Sequence, residues 1–237
     1  MMFDPLYWVV IGVGMLLSLW ASAKTKGAFA HYSQFTTRAG MTGAQVARRI
    51  LEDNAVFDVK IEHVPGDLTD HYDPRTKTLR LSDSVYASRS MSAFGVAAHE
   101  VGHALQHAQG YAPLGFRSMW VPVANFGGGI SMMVILGALL AGGAATAAGT
   151  TMGWLGLALF GTTTLFTLIT LPVEFDASKR ALATLSQGGY ATAEELHGAK
   201  KVLDAAALTY VAAFVTSLLT LVYWAYALGL LGNRREE

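Results

Sequence analysis

The chain has 237 residues, with 17 Lys+Arg balanced by 17 Asp+Glu for a net charge of +0. Hydrophobic residues make up 52% and charged residues only 14%, where a soluble domain carries roughly 25% charged, and mean hydropathy is +0.37. That balance excludes a wholly soluble domain and a basic nucleic-acid binder, while the complete lack of cysteine excludes disulfides and thiolate metal ligands.

The first predicted element is a transmembrane helix at 5–23, PLYWVVIGVGMLLSLWASA, close to the ~20 residues that cross ~30 Å of hydrocarbon. Its ASA end resembles a signal-peptidase site, but Asp4 and the lack of Lys or Arg before it predict an uncleaved anchor. A soluble lobe is expected over 27–115. In it, Thr42 caps a helix, GAQVARRILEDN, with Val46, Ile50 and Leu51 on one side. VFDVKIEHV alternates Phe57, Val59 and Ile61 with Asp58, Lys60 and Glu62, a strand pattern. DLTDHYDPRTKTLRLSDS predicts a hairpin that turns at Asp73-Pro74-Arg75-Thr76. A helix is expected from about Ser92 to Ala108.

Three more transmembrane helices are predicted at 119–142, 152–172 and 208–231, with a helical segment over 173–207. Pro172 suits the start of that segment. Gly127, Gly128, Gly129, Gly137, Gly142 and Gly143 predict close approach of the second and third spans. Lys24, Lys26, Arg117, Lys179 and Arg180 flank the spans on one side, against Arg234 and Arg235 on the other. The positive-inside tendency therefore places the lobe in the cytoplasm.

The lobe's last helix carries AAHEVGHALQH, residues 97–107. Residues four apart on a helix differ by ~6 Å of rise and ~40° of rotation, so His99 and His103 aim at one spot. Imidazole nitrogens suit zinc. Glu100 can reach a water whose pKa zinc lowers to ~7, and so act as its general base. His107 lies ~12 Å along the axis from His99, too far to share the metal. A third ligand must then come from downstream. Glu174 is the strongest candidate, at the membrane boundary between Val173 and Phe175. Asp176 comes next, then Glu194, Glu195 and His197; Glu194 and Glu195 read as a solvated face.

Four stretches, LTDHYDPRTKTLRLSDSVY, GVAAHEVGHALQHAQGY, LPVEFDASKRA and AALTYVAA, resemble the YugP-type membrane zinc metallopeptidases of bacteria. A more distant resemblance is to HtpX-type membrane proteases. The first implies zinc-dependent endopeptidase activity at the membrane. The second implies Glu174 as third ligand and a steadying residue four positions on, where relatives carry Asp and this chain has Ser178; Ser178, Asp176 or some other group takes that task. Peptidases of this class bind substrate as a strand along a sheet edge, which implies Leu79, Arg80 and Leu81 here. The oxyanion donor is left open among His71, His197, Arg180 and Tyr210.

The expected protein is thus a membrane α-helical protein of four transmembrane helices with a small α+β zinc-peptidase lobe built around the HExxH helix. One Zn2+ per chain, bound by His99, His103 and Glu174, would serve hydrolysis of protein or peptide substrates at the bilayer surface, as in membrane-protein quality control. A scaffold partner of the stomatin/flotillin type is a further expectation. The rival is a catalytically silent zinc-binding membrane scaffold or adaptor, against which Glu100 counts, since a purely structural site has no use for a base.

Overall fold

A computed structural model describes residues 4–231; Arg234 and Arg235, used above for topology, lie outside them. Four helices are long and apolar enough to cross a membrane: α1 (Pro5–Tyr32), α5 (Ala112–Leu140), α6 (Ala147–Gln187) and α7 (Ala193–Ala227). Between α1 and α5 come α2 (Gly43–Asp53), β1 (Lys60–His63), β2 (His71–Asp73), β3 (Thr78–Leu81), α3 (Asp83–Tyr86) and α4 (Met91–Ala108). The chain divides into two compact units.

The first unit comprises the chain up to Trp20, Phe116–Thr170, and the chain from Tyr210. On α1, Val9, Met15, Leu16 and Leu19 are 57–65% exposed. In water such surface is unfavourable by ~25 cal/mol per Å², a penalty that lipid removes. Inside the unit, Ile135, Ala138, Trp224 and Leu228 form a buried cluster. Helices α5 and α6 meet where Gly127 has no room for a Cβ against Leu159 and Thr162, and Trp120 Nε1 donates to Thr162 O at 3.0 Å. Gly128 and Gly137 approach Thr163 and Met152, whereas Gly129 faces open space. Gly142 and Gly143 make the turn, with φ of 96° and 55°. Asp4 caps α1 through Leu6 N and also accepts a hydrogen bond from Tyr223 OH at 2.9 Å.

The second unit, Ala21–Gly115 with Leu171–Thr209, is the α+β lobe. Its three-stranded sheet has the order β1-β3-β2, with β1 parallel and β2 antiparallel to β3. Val46, Ile50 and Leu51 of α2 are fully buried with Leu79, Leu81 and Phe94. Thr42 and Gln45 close a capping box at the start of α2, a device worth ~1 kcal/mol.

Several expectations are corrected. Strand β1 spans only the second half of VFDVKIEHV, and Phe57 is 74% exposed. Pro172 lies inside α6 instead of opening a helix; it removes one i→i−4 bond, which a membrane helix tolerates, and the helical pattern runs on unbroken. The segment 173–207 is shared between α6 and α7, which part at a turn where Gly189 has φ 67°. Glu195 is buried and not solvated: its carboxylate accepts from Thr192 N at 2.7 Å and from Arg38 N, capping α7.

Candidate metal centre

Helix α4 is fixed at its start and crowded along its length. Ser90 takes the N-cap position and accepts from Ala93 N. The hydroxyls of Ser88, Ser90, Ser92 and Ser33 follow one another at 3.0, 3.0 and 2.8 Å. Small residues let neighbouring backbones come close. Gly95 packs on Ala199 of α7, and at Gly102 a Cβ would collide with the carbonyl of Ala177 in α6. Ala177 lies one helical turn after Glu174, so this contact sets Glu174 opposite the two histidines.

His99 Nε2 and His103 Nε2 lie 3.2 and 3.4 Å from Glu174 Oε2, and the three side chains are only 13%, 10% and 3% exposed. The two imidazole rings stand 4.8 Å apart at 85°. Ligand atoms on a tetrahedral ion with bonds of ~2.0–2.1 Å are ~3.3 Å apart, so this donor set fits zinc. Two imidazoles and one carboxylate also leave a position for water or substrate, the composition of a catalytic site and not a structural one. Among the described residues these three form the group able to hold a metal ion.

The remaining nitrogens of the histidines are also engaged. His99 Nδ1 lies 3.1 Å from Ser178 Oγ, and His103 Nδ1 lies 3.0 Å from Gln106 Oε1. Gln106 Nε2 donates to Val173 O at 2.8 Å and to Asp176 Oδ2 at 2.9 Å. Arg180 Nε donates to the same Asp176 oxygen, its Nη1 donates to Gln109, and the guanidinium lies 5.5 Å above the Tyr111 ring. Glu100 is 8% exposed. Burial raises its carboxyl above the ordinary carboxylate range, with the charges of His99 and His103 acting in the opposite direction.

The structure sorts the other sequence candidates. Asp176 is outside the ligand cluster, its carboxylate being shared by Gln106 and Arg180. Arg180 is held by three partners, which argues against its use as an oxyanion donor. His71 bonds Thr69 O at 2.9 Å and faces Arg80, so it serves the hairpin. His197 is exposed on α7. His107 Nδ1 is 2.9 Å from Tyr72 OH, away from metal duty. Leu79, Arg80 and Leu81 lie on the central strand, with partners on both sides, so they offer no free edge for substrate pairing. Gln106 went unrecognised in the sequence; its one signal is the three-residue spacing from His103 on the same helix.

Four spanning helices together with a buried His-His-Glu centre and an adjacent Glu define an integral-membrane zinc metallopeptidase. The chain belongs to the family described as "Putative neutral zinc metallopeptidase", whose family model matches residues 7–229. It is 48% identical over 206 residues to "Putative membrane protease YugP" of Bacillus subtilis (strain 168), covering 87% of this chain and 89% of that protein. No solved structure matches.

Proposed function

We propose that the protein is an endopeptidase acting on membrane proteins or their loops, with its lobe on the cytoplasmic side. The observation that carries the hydrolytic reading is Glu100, buried on the turn of α4 that also bears His99, beside ligand atoms 3.2 and 3.4 Å apart. A bound zinc supplies Lewis acidity, polarising the scissile carbonyl and acidifying the attacking water. His99, His103 and Glu174 would hold the ion. Glu100 takes the proton of the water at its carboxylate and returns it to the leaving amine.

The free edges of the sheet belong to β1 and β2. Strand β2 is tied to α4 through Tyr72 and His107, so its outer edge is the better seat for an extended substrate. The cytoplasmic side is supported by Lys24, Lys26, Arg117, Lys179 and Arg180 near the ends of the spans. Labelling Thr76→Cys with an impermeant thiol reagent in intact cells tests this, because the chain has no cysteine of its own; labelling from outside reverses the topology. Restraint by a scaffold of the stomatin/flotillin type is checked by co-purification from the membrane.

The central test compares wild type with Glu100→Gln for bound zinc and for cleavage of unfolded casein. Retained zinc with lost cleavage in the variant supports the peptidase. Zinc in both with cleavage in neither favours the silent scaffold.

A further inference from the structure

The zinc centre has two supporting residues of unequal capability. Ser178 can accept from His99 Nδ1 or donate to it, because a hydroxyl does either. Gln106 has no such freedom. Its amide meets Val173 O and the Asp176 carboxylate, both of which only accept, so its NH2 must face them. The amide oxygen is therefore the atom turned towards His103 Nδ1, 3.0 Å away. An oxygen acceptor there requires a proton on Nδ1, which leaves the lone pair on Nε2, the nitrogen that faces Glu174. Asp176 is in turn held by Arg180, whose other contacts are Gln109 and Tyr111.

We propose that Gln106 is the positioning residue of the metal centre: it fixes the tautomer of His103 and, through Val173 and Asp176, registers the turn of α6 that carries Glu174. One buried side chain, 0% exposed, so governs two of the three ligands. This rests on the zinc reading and goes beyond it, because the residue touches neither metal nor substrate. Loss of partners of this kind typically weakens metal affinity by about 10–100-fold.

The test is zinc affinity of the detergent-solubilised full chain, by competition with a chromophoric chelator, alongside the visible spectrum of the cobalt(II) form. Gln106→Met keeps the volume and removes both hydrogen-bonding ends. It is expected to weaken zinc by about 10–100-fold and to change the cobalt bands. Gln106→Glu sets two carboxylates against each other and is expected to be worse. Adding Asp176→Asn to Gln106→Glu keeps the acceptor towards His103 and replaces the repelling carboxylate by an amide that donates to residue 106, so the pair is expected to recover affinity over Gln106→Glu alone. Should Gln106→Met fail to fold, Asp176→Ala, at a partly exposed position, reports the same relay with a smaller loss. Wild-type affinity and spectrum in the folded Gln106→Met or Asp176→Ala protein would overturn the inference, as would a pair no better than Gln106→Glu. Absence of zinc from the wild type itself would overturn the metal reading and this inference with it.

Discussion

Gly102 and Ala177 touch backbone to backbone: the carbonyl of Ala177 occupies the place where any larger residue at 102 would put its Cβ. This contact allows α4 and α6 to come close enough for their ligands to converge. The glycine within HEVGH is thus as necessary to the geometry as its histidines.

Gly102→Ala is expected to destabilise the lobe by about 1–3 kcal/mol through overpacking and to lower zinc affinity by moving Glu174 away. Gly115→Ala, in α5 with open space around its Cβ position, is the control and should be neutral or stabilising by about 0.5–1 kcal/mol. Thermal melting and zinc stoichiometry of the two variants decide the matter.

Ser178→Ala removes the partner of His99 Nδ1, and zinc affinity is expected to fall by about 10-fold or more. Ser178→Asp puts a stronger acceptor there and should match or exceed wild type. Chelator competition on the three proteins measures both effects.

Burial raises the Glu100 carboxyl above its ordinary value of 4.5. A general base works deprotonated, so a raised pKa shifts the loss of activity to higher pH. The charge of a bound ion acts in the opposite direction on the same carboxyl, so the acid limb of kcat/KM is expected to lie at lower pH than Glu100 titrates in the metal-free protein, with zinc still bound where activity has begun to fall. A pH–rate profile run beside metal analysis separates protonation of the base from release of the ion.

Tyr72 OH meets His107 Nδ1 at 2.9 Å, and burial raises its hydroxyl to about 12. It stays protonated through the neutral and mildly alkaline range, a neutral hydroxyl that pairs with either tautomer of the ring. Tyr72→Phe is expected to cost about 1 kcal/mol of stability and to leave zinc affinity unchanged. Denaturant melts and chelator competition test the two halves.

What could be read from sequence follows the range of each interaction. His99, Glu100 and His103 lie within five consecutive residues, where helical geometry alone dictates their convergence. Glu174 is some seventy residues further on, and its mark in the sequence is a charge between Val173 and Phe175, where an unpaired carboxylate is hard to explain. Gln106 gives no such mark, because an amide has no charge to account for and its partners Val173 and Asp176 sit on another helix. The central place of β3 is hidden from the sequence for a related reason. Alternation in TLRL marks a half-buried strand, but whether it has one neighbour or two depends on the parallel pairing with β1 across the chain. Glu195 looked solvated beside Glu194 because nothing local announces that Arg38 N will arrive to meet it.

The donor set has a consequence for the conditions that the enzyme can endure. Among the described residues the protein offers the ion imidazole nitrogen and carboxylate oxygen, and the chain has no sulfhydryl at all. Peroxide and disulfide stress, which eject zinc by oxidising thiolates, find no purchase on this centre. Its vulnerability lies in acidification, because nitrogen and oxygen ligands bind a metal deprotonated and protons compete directly with the ion.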